Sequence, residues 1–158
     1  MNEPPAEPTA ENPYPLNPTV TRDLVPLALS TIGLAIMLGT AIMTVFLLLN
    51  RSMVHDLPVT PDARPDVMQP AATLLMAGVM ATILAPMITA WSLLAPVEVT
   101  YRRFGFAMVS GLGALVVSIL AVPANEFFGI RGLIALLGLS LVACLVLGRR
   151  VHLARAAL

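Results

Sequence analysis

The sequence predicts an all-α integral membrane fold, a bundle of four helices behind a disordered N-terminal tail. Three observations carry this. Of the 158 residues, 11% are charged and 58% hydrophobic. An average soluble domain is roughly 25% charged, so this chain has too little charge to cover a soluble surface. Its apolar residues fall into four runs separated by short polar segments, and a spanning helix needs about 20 apolar residues. Residues 1–21 lack any such run.

That tail, MNEPPAEPTAENPYPLNPTVT, is rich in proline and glutamate and has no hydrophobic periodicity. It cannot bury enough apolar surface to offset its ordering entropy, so it is expected to be disordered. It is also not the basic n-region of a signal peptide. The rest, 22–158, reads as a single transmembrane domain. The first run is uncharged from Leu24 to Asn50 and predicts a span over about 24–49. RSMVHDLPVTPDARPD, 51–66, carries prolines and mixed charge and reads as an extended, solvated loop. The second run, uncharged from Val67 to Val97, predicts a span over about 70–97, with Pro70 suited to its first turn. After the tight segment 98–103, the third run predicts a span over about 104–124. ANEFFGIR, 124–131, reads as another tight loop. The fourth run, Gly132–Gly148, is short, so its helix is expected to begin near 128 with Arg131 snorkelling to the interface. Short links make sequential helices antiparallel neighbours.

All nine basic residues are arginine, and the formal net charge is zero, so nucleic acid is not an expected partner. With the N-terminus inside, Arg22, Arg102, Arg103, Arg149, Arg150 and Arg155 lie on the inner side and Arg51, Arg64 and Arg131 on the outer. The positive-inside rule then predicts an inner-membrane protein with both termini cytoplasmic. In PVEVTYRRFGF, Pro96–Phe106, Arg102 and Arg103 read as the topological anchor that forces the chain to turn. Glu98 is positioned to pair with either arginine. Glu98, Arg102, Arg103, Arg149 and Arg150 together form a candidate contact face for a partner or an anionic lipid.

The second run has the most regular pattern. Thr73, Ala77, Ala81, Ala85 and Thr89 recur every four residues, with Gly78, Thr82, Pro86 and Ala90 beside them. Small residues let helix backbones approach closely in lipid, so this helix is expected at the centre of the bundle or at a protein contact. Thr31, Ala35 and Gly39 give the first helix a matching strip; Ser110, Ala114 and Ser118, next to Gly111, do so for the third. Pro86 removes a backbone donor in mid-span and is expected to kink its helix.

Catalytic chemistry is not foreseen. No Asp, Glu, Arg or His falls in the middle of a predicted span, where proton relays and ion paths place them. His55 and His152 lie outside the spans, which disfavours axial ligation of a haem within the bundle. Cys144 has no second cysteine with which to pair. His55, Asp56, Asp62 and Asp66 match no recognised metal-site spacing, and Asn50-Arg51-Ser52 fits a glycosylation sequon only formally, since it lies against the membrane edge, so glycosylation is not expected. No enzyme, cofactor or metal is expected. The partners foreseen are the lipid bilayer and other membrane subunits or further copies of the chain. The expected role is that of a structural or accessory subunit. The alternative is a small oligomeric transporter or channel, its path past Pro86 lined by Thr82, Thr89 and Ser92.

Overall fold

The computed structural model describes residues 18–55, 65–95 and 100–156. Among them are four helices and no strand: α1 (Pro18–His55), α2 (Pro65–Leu93), α3 (Thr100–Ser118) and α4 (Ala121–Ala156). The fold is an all-α bundle. Three helices, α1, α2 and α4, are long and apolar enough to cross a membrane. α3 is not among them, against the expected four, because Tyr101, Arg102 and Arg103 fill its first turn and shorten its apolar part to Phe104–Ser118.

Successive helices run antiparallel. At one end Leu27, Leu94 and Val151 form a cluster that Phe106 packs against. At the other, the Asn50 side-chain amide donates to the Ala71 carbonyl (2.8 Å) and Arg51 Nη1 donates to Asn125 Oδ1 (2.5 Å). We call these the arginine-rich end and the opposite end, since Arg103, Arg149, Arg150 and Arg155 all lie at the first.

α1, not α2, is the hub. It packs against α2, α3 and α4, α2 also packs against α3, and α4 has no substantial contact except with α1. The residues of α1 explain this, because it has small or shape-matched positions on several sides. Leu147 of α4 lies over Gly33, and Ile36 lies over Gly113 of α3. Phe46 fills the notch left by Gly78 of α2, and Gly39 sits at the three-way crossing with α2 and α3. The proximity of α3 to α4 in sequence therefore does not make them packing neighbours.

The helix ends also differ from the expected ones. Pro18 opens α1, so 18–21 are helical; 1–17 lie outside the described residues. Pro65, not Pro70, takes the first position of α2, where its missing N–H costs nothing. Residues 51–55 and 65–66 are helical, and 56–64 lie outside the described residues. α3 stops at Ser118, inside the third apolar run. Its end tightens through i→i−3 bonds, Ile119 N–H to Val116 O and Leu120 N–H to Val117 O. Pro123 then falls in the first turn of α4, where a helix tolerates the absent donor. The segment 124–131 is thus mostly helix. Its one break is Gly129, at φ 58° and ψ −140°, a conformation that only glycine adopts readily.

Candidate functional site

The arginine-rich end is built around the junction of α2 and α3. Helix α2 ends at Leu93, and the last carbonyls of a helix have no donor within it. Leu94 N–H takes the Ala90 carbonyl, and Arg103 Nε–H takes that of Trp91 at 2.6 Å. The same guanidinium lies over the Trp91 ring, 4.5 Å from its centroid. Arg103 thus combines a charge-assisted bond, a cation–π contact and a favourable interaction with the negative end of the α2 dipole. Arg102 is exposed instead, as are Arg149, Arg150 and Tyr101. Glu98 lies outside the described residues, so its pairing does too.

Beside this junction is a cleft of about 580 Å³ lined by Leu34, Leu93, Gly148, Val151, His152 and Arg155. It lies between α4 and the end of α2, which pack little against each other beyond the cluster that holds Leu94 and Val151. Gly148 adds to the opening, since a Cβ there would meet nothing within 4 Å.

The small-residue rows of α2 have different fates. Gly78, Thr82, Pro86 and Ala90 are buried in the bundle, whereas Thr73 and Ala77 are exposed and Ala81, Ala85 and Thr89 half-buried. Gly39 and Gly111 are both buried at close crossings. A Cβ at Gly39 would lie 2.5 Å from Ala114 Cβ, 2.8 Å from Pro86 Cγ and 2.9 Å from the Thr82 carbonyl oxygen. That carbonyl is the one Pro86 deprives of its helical donor, so a glycine Cα–H faces an oxygen with spare accepting capacity. At Gly111 a Cβ would lie 2.6 Å from Met87 Cγ and 2.9 Å from the Ile83 carbonyl oxygen. Helix α2 stays helical through Pro86, with Gly39 of α1 fitted against the proline ring.

The polar groups between the helices are hydroxyls turned back on their own backbones. Thr44 donates to Thr40 O, Thr82 to Gly78 O, Ser110 to Phe106 O and Ser140 to Leu136 O, at 2.7–2.8 Å. This is how a hydroxyl is satisfied where no water is available. Thr31 Oγ1 is the exception, buried and without a partner among the described residues.

At the opposite end, the Arg51–Asn125 bond ties α1 to the first turns of α4, and the Arg51 guanidinium also lies beside Gly129. A second cleft, about 460 Å³, runs along α4 past Phe128, Arg131 and Leu139. Among the described residues, no three His, Cys, Asp or Glu side chains gather as a metal site would require. Asp56 and Asp62 lie outside those residues.

Sequence reasoning missed the Arg103–Trp91 and Arg51–Asn125 contacts. The first had a readable signal. A link as short as 94–99 must bring the last turn of α2 beside the first turn of α3, and Arg103 is in that turn. The second depends on Gly129 and on the packing of α4 against α1, neither of which the residue pattern exposes. Comparison with known protein families, with curated proteins and with solved structures returns no match.

Proposed function

We propose that the chain is a multi-pass protein of the inner membrane, with both termini cytoplasmic, that serves as a structural or accessory subunit by packing against a larger membrane protein or further copies of itself. The observation that supports this is the unequal use of its helices. In the most apolar window of each, 28% is buried in α1 and 11% in α4. The outer side of α4 exposes Leu139, Leu141, Val142, Leu145 and Val146. A helix with one neighbour and a broad free face is available for a second.

Mild-detergent purification of wild-type protein and of Leu141→Trp/Leu145→Trp tests the reading. A companion at fixed stoichiometry, or a defined oligomer, is expected for wild type and lost in the variant, because lipid accommodates tryptophan where a packed helix does not. A wild-type monomer with no companion would sink the proposal. A reporter fused after Leu158 checks the orientation, and a periplasmic signal would reverse it.

The transporter reading has weaker support. Thr82 and Pro86 are buried in helix contacts, and neither cleft described above is lined by Thr82, Thr89 or Ser92. Reconstituted flux that falls in Pro86→Ala and Thr82→Val would restore it.

A further inference from the structure

We propose that the cleft at the arginine-rich end is a binding site for one anionic phospholipid. The phosphate lies at His152 and Arg155, and one acyl chain runs along the cleft toward Leu34. Polarity along the cleft is ordered as in a lipid. Arg155 and His152 form one end; Val151 and Gly148 follow along α4, and Leu93 and Leu34 supply the apolar walls. From Arg155 to Gly148 the helix rises about 10 Å, which takes the groove from headgroup level into the hydrocarbon. Leu34 itself lies beside Cys144, its carbonyl 4.0 Å from the thiol sulfur. The volume of about 580 Å³ falls within the roughly 300–1,000 Å³ of sites that hold small ligands.

Charge selects the occupant. Arg102, Arg149, Arg150 and Arg155 share this end, and Glu126, the acidic residue whose side chain the structure describes, lies at the other. A second copy in the same orientation would bring its own arginines to the same level, so like charges oppose that occupant. Free phosphate would leave the apolar walls uncovered. An anionic phospholipid matches both the cations and the walls. This inference does not depend on the subunit role proposed above.

Trp91, the single tryptophan of the chain, does not line the cleft but sits in the same last turn of α2 as Leu93, which does, and emits from within one helical turn of the cleft wall. Full-length protein is placed in phosphatidylcholine nanodiscs doped with acyl-brominated phosphatidylglycerol or acyl-brominated phosphatidylcholine, and Trp91 quenching is titrated. Phosphatidylglycerol is expected to reach half-quenching at a several-fold lower mole fraction, at about fivefold per engaged cation. His152→Gln/Arg155→Gln removes the imidazole and the guanidinium at the headgroup end of the cleft. Gly148→Leu keeps every charge and places a side chain in the open space. Both are expected to abolish the preference. Equal quenching by the two lipids in wild type overturns the proposal. A preference that survives Gly148→Leu also overturns it, by showing attraction to the basic surface without occupation of the cleft. One that survives loss of both side chains overturns the phosphate assignment. A Cβ at position 148 meets no atom within 4 Å, and leucine is a better helix former than glycine, so the test stands even if the double variant unfolds.

Discussion

Two kinds of residue, buried threonines and glycines, decide how tightly this bundle is held, and each has a measurable signature. Thr31 buries a hydroxyl without a partner among the described residues. An unpaired buried polar group costs about 1–3 kcal/mol, and valine has nearly the same shape. Thr31→Val is therefore expected to raise stability by about 1 kcal/mol in mixed-micelle SDS unfolding. Thr82→Val should show no such gain, because its hydroxyl is bonded to the Gly78 carbonyl. The glycines divide in the same way. At Gly39 a methyl group collides with two side chains and a backbone oxygen, whereas at Gly138 it meets nothing within 4 Å. Gly39→Ala should destabilise by about 1–3 kcal/mol through overpacking. Gly138→Ala should stabilise by roughly 0.5–1 kcal/mol, the ordinary glycine-to-alanine difference in a helix. The same unfolding assay reads both, and equal effects at the two positions would count against the crossing geometry. The sequence sets Gly39 in a small-residue strip with Thr31 and Ala35 and Gly138 in none, but it shows neither the atoms that crowd the one nor the missing partner of the Thr31 hydroxyl. What separates the two glycines is the face each presents, which the sequence alone leaves open.

At the scale of elements, the helices themselves were readable and their junctions less so. Hydropathy located the four apolar runs, since burying uncharged stretches of this length in lipid leaves the backbone few choices besides helix. It misplaced the α3–α4 turn because Ile119 and Leu120 are as apolar as their neighbours, and the turn comes from backbone bonding, not polarity. The candidate contact face was legible as charge but not as structure. Arg102 and Arg103 look alike in sequence, yet only Arg103 caps α2 and covers Trp91. Both contribute equally to the positive-inside count, so comparing their alanine variants isolates the contact. Arg103→Ala should cost about 1–3 kcal/mol more than Arg102→Ala and alter Trp91 fluorescence. The break at Gly129 belongs to this scale too. Its φ of 58° with ψ −140° is a region that costs other residues about 1–3 kcal/mol. Gly129→Ala should either lose that stability or straighten 121–156 into one rod, which would pull Asn125 from Arg51. A spin-label distance between the start of α4 and residue 49 separates the outcomes from an unchanged structure.

For the whole molecule, the governing fact is that α1 touches every other helix while α4 touches little else. Such an arrangement is asymmetric in what it can lose. Ending the chain after Leu120 should leave α1–α3 folded, with the Arg103–Trp91 contact intact and the signature of Trp91 near that of wild type. Collapse of that three-helix remnant would show that α4 contributes more than its contacts indicate. The same asymmetry has a temporal meaning. Chains are threaded into the bilayer from the N-terminus as they are made, and α1 is synthesised before the other three helices. Each later helix therefore arrives to find its docking surface already in place. Only α1 then waits with its packing faces bare; no later helix waits for a partner still on the ribosome. The last to arrive, α4, fastens along one side and leaves the other open to whatever the membrane holds.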